Sequence, residues 1–352
     1  MAWLLFDTVK HPIDQLTADI AANPFQNEVL TLINQWQNGQ KTFSLTTSGS
    51  TGKPQEIEIT REQMMISANN TIKALNLLPD QTVLLCINPA FIGGKMMLIR
   101  ALINNMNIVA LAPTSNPLLN VGIQLDFIAV VPLQLTNIIN NEQTRQHLKR
   151  VGAVIVGGGE ISSTLEKDLQ PISTPIFATY GMTETVSHIA LRRVNGEAKS
   201  NYFNAFANVI LSVDQRDCLT ICAPVTNNQT IITNDRVKLI DSHRFQWLGR
   251  VDNVINTGGI KVQAEEVEQK IEPFISKISP SRFFIYGIPD ELLGQRVTLF
   301  VEGEENEKLS SFIDQCKGVL TRYEIPKELV FLKKFMETDN GKIQRKKTVE
   351  SR

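Results

Sequence analysis

Thr46-Thr47-Ser48-Gly49-Ser50-Thr51-Gly52-Lys53-Pro54 gathers two glycines, five hydroxyls and a lysine into nine residues. Glycine lets a backbone turn its N–H groups inward, and hydroxyls and an ammonium add further donors. That is the composition of a phosphate cradle. It is not a Walker loop, because Gly49 and Gly52 stand too close for G-x-x-x-x-G-K and Pro54 occupies the place of the required Ser or Thr. An ordinary Ser/Gly loop has the same composition, so the flanking sequence has to decide.

Downstream, Thr60-Arg61-Glu62-Gln63 reads as a capping box, followed by Met64, Met65, Ala68, Ile72 and Leu75 at helical spacing. Short apolar runs then arrive in order: Val83–Ile87, Ile108–Leu111, Phe127–Val131, Ala153–Val156 and Ile176–Tyr180. Their β-branched and aromatic content predicts strands buried on both faces. Helical patterns over Lys95–Asn104, Leu133–Lys149 and Ser163–Leu169 separate most of them, the last with Ser163 and Glu166 as its capping box. Such alternation predicts an α/β fold, a mostly parallel sheet flanked by helices, with ligands at the carboxyl ends of the strands. From about residue 201 the rhythm changes to short strands (Asn208–Val213, Cys218–Ala223, Thr230–Thr233, Phe245–Leu248), a small β-rich subdomain up to 251. A turn-rich segment, Gly249–Gly259, precedes a last α+β stretch with a helix over Glu265–Phe274, strands at Arg282–Gly287 and Val297–Val301, and a helix over Lys308–Leu320. The expected domains are 1–251 and 252–352, with the boundary near Asp252.

Length agrees, since 352 residues at about 150 per domain predict roughly two domains. Lys and Arg total 35 against 36 for Asp and Glu, a balance that argues against a protein devoted to nucleic acid or an anionic membrane. No apolar stretch is long enough to span a bilayer, and Trp3-Leu4-Leu5-Phe6 meets Asp7 too soon for a signal peptide. Cys86, Cys218, Cys222 and Cys316 are scattered, as expected of thiols in a reduced cytoplasm. Composition predicts a cytoplasmic globular enzyme without membrane insertion, and leaves a homo-oligomer open.

Four further motifs follow strands or turns. In Tyr180-Gly181-Met182-Thr183-Glu184 the ring can stack on a purine, Thr183 can meet a phosphate and Glu184 can hold magnesium; a helix start with an acidic first turn would read the same. Val156-Gly157-Gly158-Gly159-Glu160 allows a ligand close to the backbone. Leu248-Gly249-Arg250-Val251-Asp252-Asn253 runs on to Thr257-Gly258-Gly259-Ile260-Lys261-Val262, and Asn340-Gly341-Lys342-Ile343-Gln344-Arg345 closes the series. In this order and near this spacing the five elements resemble the acyl-adenylate-forming superfamily of acyl-CoA synthetases, peptide-synthetase adenylation domains and luciferases. Within it the chain is most similar to the compact o-succinylbenzoate–CoA ligases of bacterial menaquinone synthesis: the phosphate loop comes early, and Ile92-Gly93-Gly94-Lys95-Met96-Met97 resembles their short forms.

The resemblance implies a large N-terminal domain and a small mobile C-terminal one, with ATP, Mg2+, coenzyme A and a small carboxylic acid as ligands. Thr47, Ser48, Gly49, Ser50, Thr51, Gly52 and Lys53 would hold the β- and γ-phosphates. Gly157, Gly158, Gly159 and Glu160, with Tyr180, Gly181 and Met182, would line the adenine slot and the floor of the acyl pocket. Thr183 would touch the α-phosphate, Glu184 bind the metal, and Asp235 with Arg250 hold the ribose. Lys342 would serve the first half-reaction, Asp252 would be the hinge, and Gly258 and Gly259 would leave room for pantetheine. Phe91, Gly94, Lys95 and His188 are the acyl-pocket candidates. Lys95 and Arg100 are candidates for gripping the second carboxylate of a succinyl side chain, although a basic residue on a half-exposed helix would look alike. Gln55 replaces a usual lysine and Asn234 a usual glycine. A ligase for another aryl or medium-chain acid is the alternative within the class. A non-catalytic adenylate-fold protein usually shows a broken Lys or Glu motif, and Lys342 and Glu184 are both present. A serine hydrolase lacks its G-x-S-x-G elbow.

Overall fold

The computed structural model describes residues 2–47, 55–119, 121–279, 281–305, 309, 312–316, 318–338 and 343–352. Two compact units divide the chain: Met1–Ile161, Asp168–Ile210 and Ile221–Ile231 form the first, and Ser162–Lys167, Leu211–Thr220 and Ile232–Arg352 the second.

The first unit contains strands β1 (Trp3–Phe6), β2 (Val9–Pro12), β3 (Thr42–Thr47), β4 (Gln55–Thr60), β5 (Thr82–Leu85), β6 (Asn107–Ala110), β7 (Phe127–Val130), β8 (Ala153–Val156), β9 (Ile176–Gly181), β10 (His188–Arg193) and β11 (Phe203–Ala205). Its helices are α1 (Pro24–Gln37), α2 (Arg61–Leu75), α3 (Ile92–Ile103), α4 (Pro132–Asn140) and α5 (Glu142–Leu148). Every residue of β7 and β8 is buried, which is why these runs carry no polar alternation. The strands lie in the order β11-β10-β9-β8-β7-β5-β6-β1-β2. From β1 to β9 across this order the pairings are parallel, while β2, β10 and β11 are antiparallel additions. The α/β expectation is met. The order reverses at β5, from which the chain passes one way to β6 and the other way to β7. A crevice outside the carboxyl ends of strands is expected at such a point. Apart from this sheet, β3 and β4 form a hairpin in which Thr47 pairs with Gln55, so the glycine-rich stretch is its connection.

The helix α2 begins as read: Thr60 Oγ1 accepts the Gln63 N–H at 3.1 Å and Gln63 Oε1 accepts the Thr60 N–H at 2.9 Å. The single helix expected over Leu133–Lys149 is instead two. Asn141 leaves the helical region at φ −105°, ψ 122°, and its side chain caps α5 by accepting the Thr144 N–H at 3.1 Å.

The second unit contains β12 (Ile210–Val213), β13 (Cys218–Cys222), β14 (Thr230–Asp241) and β15 (Arg244–Arg250), side by side in that order. A separate five-stranded sheet joins β16 (Val254–Thr257), β17 (Ile260–Gln263), β18 (Phe283–Asp290), β19 (Gly294–Glu302) and β20 (Glu328–Leu332). The helices are α6 (Ser163–Asp168), α7 (Ala264–Ile278), α8 (Phe312–Cys316) and α9 (Arg345–Glu350). On α7, Val267, Ile271 and Ile275 recur every fourth residue and are buried with Ile285, Val297 and Leu299 of the sheet. One expectation, the cap of α6, is corrected here. Within the turn-rich stretch Gly249–Gly259, β16 pairs with β17 through a two-residue connection, Gly258-Gly259, at φ +58° and +79°. Positive φ at both central residues is the tight hairpin geometry that glycine permits. The cap of α6 is Ser162, whose Oγ accepts the Leu165 N–H at 3.1 Å, while Glu272 accepts the N–H groups of Ser163 and Thr164.

Candidate active site

In the first unit most of the expected site residues lie at the carboxyl ends of β5, β8 and β9, while His188 begins β10. Phe91 is the exposed N-cap of α3, just beyond β5, and Lys95 lies half-buried on its first turn. Burial holds the Lys95 ammonium below its ordinary range, with Glu28 acting in the opposite sense. Gly94 is buried where a Cβ would stand 2.4 Å from the Ile87 carbonyl oxygen, so it packs α3 onto the preceding loop. The loop after β8 spans its neighbours: a Cβ on Gly157 would meet Thr179 of β9, and one on Gly159 would meet Pro132 after β7. Glu160 is exposed at the end of this loop. Near the end of β9, Tyr180 lies against Phe203 with ring centroids 5.8 Å apart.

Gly181 is the tightest point. A Cβ there would sit 2.2 Å from the Ser187 carbonyl oxygen and 2.5 Å from the His188 Cα, because the chain doubles back at once into β10. Thr183–Thr185 form a single 3-10 turn, and Val186 takes φ +63°, ψ −38° while the Ser187 N–H bonds the Thr185 carbonyl at 2.7 Å. This is a strained γ-turn, held at a fully buried β-branched residue. Thr185 ties the loop: its hydroxyl accepts the Met182 N–H at 3.0 Å and lies 2.7 Å from the Ser187 carbonyl. Glu184 is left exposed, with no ion-pair partner among the described residues. A solitary open carboxylate next to a threonine hydroxyl fits magnesium, which takes one or two protein carboxylates and fills its shell with water and phosphate oxygens.

Behind this turn lies a buried polar cluster. Arg100 sits on α3 in the run Met96-Met97-Leu98-Ile99-Arg100-Ala101 and is 1% exposed. Its Nη2 donates to Ser187 Oγ at 3.1 Å; Nε has no partner, and no carboxylate among the described residues pairs with the guanidinium. Burial lowers its pKa to about 9, so it stays charged at neutral pH. His188 is also buried and has Thr71 Oγ1 3.0 Å from Nε2 and Ser187 Oγ 3.4 Å from Nδ1. Burial first, and then the charge of Arg100, push it well below the usual histidine range. Ser187 and Thr71 were not singled out from sequence. The signal for Arg100 was there, an arginine inside an otherwise apolar helical run.

The second unit holds the other expected residues. Asp235 and Arg250 face each other across β14 and β15. Asp235 Oδ1 accepts the Trp247 indole N–H at 3.2 Å and lies 3.7 Å from Arg250 Nη1. Asp252 accepts from Arg250 Nη2 at 2.8 Å and from Asn234 Nδ2 at 3.3 Å, so Asn234 contributes a bond that glycine would lack. Gly258 and Gly259 form the β16–β17 turn, with open space around Gly259. Ser48, Gly49, Ser50, Thr51, Gly52, Lys53 and Lys342 lie outside the described residues. Thr47 ends β3. No helix among the described residues is long and apolar enough to cross a membrane.

The sequence matches the family of AMP-binding enzymes over residues 14–237, and the chain belongs to it: it is an AMP-binding enzyme, of the acyl-adenylate-forming class. It is 36% identical to the acyl-CoA synthetase (AMP-forming)/AMP-acid ligase II-like protein from Dyadobacter fermentans, with 96% of this chain and 97% of that one covered and a TM-score of 0.66. It is 25% identical to the 2-succinylbenzoate–CoA ligase of Listeria monocytogenes over 91% of this chain and 72% of the relative. The o-succinylbenzoate coenzyme A synthetase of Bacillus subtilis, solved with ATP and magnesium, shares the fold at a TM-score of 0.72 and 19% identity, over 87% of this chain and 69% of that one. ATP, magnesium and coenzyme A as ligands are consistent with this class.

Proposed function

We propose that the protein is an ATP-dependent, AMP-forming ligase that converts 2-succinylbenzoate into its coenzyme A thioester. The observation that carries the substrate is Arg100: a charged guanidinium buried in an apolar helix, bonded to one serine hydroxyl and lacking a described carboxylate. A buried cation without its counter-charge is costly, and an anion brought by the ligand removes that cost. 2-Succinylbenzoate carries two carboxylates; in this reading the succinyl one reacts and the ring one meets Arg100 still ionised, the reverse of the expectation that Arg100 grips the succinyl carboxylate. The name shared by the Listeria relative points the same way.

The reaction follows in two displacements. One carboxylate oxygen attacks the α-phosphorus of ATP, and the bond to pyrophosphate breaks. No protein base is needed, since the nucleophile is already an anion. The difficulty is repulsion between anion and polyanion, met by positive charge placed where negative charge builds up. In this reading Thr47 to Lys53 hold the outer phosphates, Thr183 bonds the α-phosphate and Lys342 supplies charge in the first half-reaction. Glu184 would hold magnesium, which offsets phosphate charge when bound. Asp235 and Arg250 take the ribose hydroxyls. The thiol of coenzyme A then attacks the acyl carbon and AMP leaves, with Asp252 as the hinge between half-reactions and the flat Gly258-Gly259 turn beside the pantetheine arm. The test is mass-spectrometric detection of acyl-CoA after incubation with ATP, magnesium, coenzyme A and a panel of acids. A thioester from 2-succinylbenzoate well above benzoate and fatty acids is expected. A thioester from a different acid alone keeps the chemistry and discards the substrate.

A further inference from the structure

The cluster behind Arg100 has a direction that can be followed atom by atom. Thr71 is fully buried on α2, and its hydroxyl donates to the Ser67 carbonyl one turn earlier, at 3.2 Å. A hydroxyl carries one proton, so with that proton directed at Ser67 its lone pairs face His188 Nε2, 3.0 Å away. The imidazole proton then sits on Nε2 and the lone pair on Nδ1. Nδ1 faces Ser187 Oγ, and the same oxygen accepts from Arg100 Nη2. With the Thr71 proton held by the Ser67 carbonyl, an acceptor that cannot switch, each polarity in the series follows from the helix outward.

We propose that Thr71 and His188 are positioning residues for acyl specificity: by fixing the neutral Nε2–H form of His188 they orient the Ser187 hydroxyl, and through it aim the Arg100 guanidinium at an anion carried by the acyl group. This rests on the substrate reading above. A histidine in the other tautomer would turn an N–H toward Ser187, whose oxygen would then accept from both neighbours and whose own proton would lose its acceptor, so that nothing fixes the hydroxyl's orientation at the guanidinium. A cationic histidine would do the same and add a like charge beside Arg100. Neither residue touches the reacting carboxylate, so their effect falls on one part of the substrate only.

The experiment uses the full chain as wild type, Thr71→Val and Thr71→Ser, with 2-succinylbenzoate and with benzoylpropionate, which keeps the succinyl carboxylate and lacks the one on the ring. Thr71→Val is expected to raise KM for the diacid roughly tenfold, about 1.4 kcal/mol, with kcat within about twofold and KM for the monoacid little changed, as loss of one hydrogen bond near a charge predicts. Thr71→Ser, which keeps the hydroxyl, is expected to behave as the wild type. Nitrogen-15 spectra of the wild type at neutral pH are expected to show His188 protonated on Nε2 alone. Equal losses on both acids in Thr71→Val would make the role merely structural and overturn the proposal. Protonation of His188 on Nδ1 overturns it whatever the substrate. A wild type that does not prefer the diacid overturns the substrate reading and with it the purpose assigned to the series, whereas a preference that survives in Thr71→Val overturns the positioning role alone.

Discussion

Arg100→Met exchanges a guanidinium that is 1% exposed for an uncharged side chain of similar length in the same apolar run. Burial lowers its pKa to about 9, worth about 5 kcal/mol against the charged form in the folded state. The sign follows from proton counting. From about 9 up to the ordinary arginine range the unfolded chain binds the proton that the folded one gives up, so folding stability rises with pH across that window. Below about 9 both states are protonated and the whole cost is present, including at pH 7. Methionine removes that cost and loses the bond to Ser187, worth about 1 kcal/mol, so a gain of about 1–4 kcal/mol and a rise of several degrees in melting temperature are expected. The advantage should shrink at pH 10. Activity moves the other way: a charged hydrogen bond to carboxylate is worth about 1.5–3 kcal/mol, so kcat/KM for 2-succinylbenzoate should fall about 10- to 150-fold. Benzoylpropionate should lose far less. The measurements are melting curves at the two pH values and initial rates of AMP release on both acids. A variant that melts below the wild type and is impaired equally on the two acids would refute the argument, because Arg100 would then be a structural cation whose partner is not the substrate.

Lys342→Ala should slow adenylate formation about 100-fold or more, the scale of one lost electrostatic contact to a transition state, yet still convert a supplied acyl-adenylate to thioester; equal loss of both half-reactions would contradict its role. Asp252→Pro should spare adenylation and block thioester formation, while normal turnover would remove the hinge assignment. Gly181→Ala should lower the melting temperature and abolish adenylate formation, since its Cβ would fall 2.2 Å from a backbone oxygen that side-chain motion cannot clear. Wild-type behaviour would show that β9 and β10 can separate there.

Much of the central sheet was legible because burial on both faces leaves a plain mark: Phe127–Val130 and Ala153–Val156 are strands within a residue of where apolar runs place them. Local chemistry was legible too, as at Thr60 and Gln63. What escaped depended on distant partners or competing caps. Leu4, Leu5 and Phe6 pair in parallel with Ile108, Val109 and Ala110, about a hundred residues away, and nothing in Trp3–Phe6 itself announces that register. Asn141 ends one helix and starts another because its side chain finds Thr144, a choice that apolar periodicity over Leu133–Lys149 does not record. Ser162 outcompetes Ser163 as a cap because Glu272, from a helix a hundred residues on, takes the Ser163 and Thr164 amides.

The site divides along the same line. Residues whose chemistry is carried by their own type and loop, such as Thr183, Glu184 and the glycines after β8, were visible as motifs. Those whose chemistry comes from surroundings were not. Gly94 and Gly181 look like ligand-facing glycines in sequence, yet each is required by a backbone oxygen less than 2.5 Å from where its Cβ would be. Thr71 looks like an ordinary helical threonine, and only its burial between the Ser67 carbonyl and His188 gives it a direction. Arg100 stands between the two cases. Its presence in an apolar run could be read as a fault in a core helix or as a charge kept for something absent. Its burial with no carboxylate partner among the described residues favours the second option, the one the proposed substrate takes up. Under that proposal, specificity for a second carboxylate comes from the cost of the buried charge, relieved by an acid that carries its counter-charge.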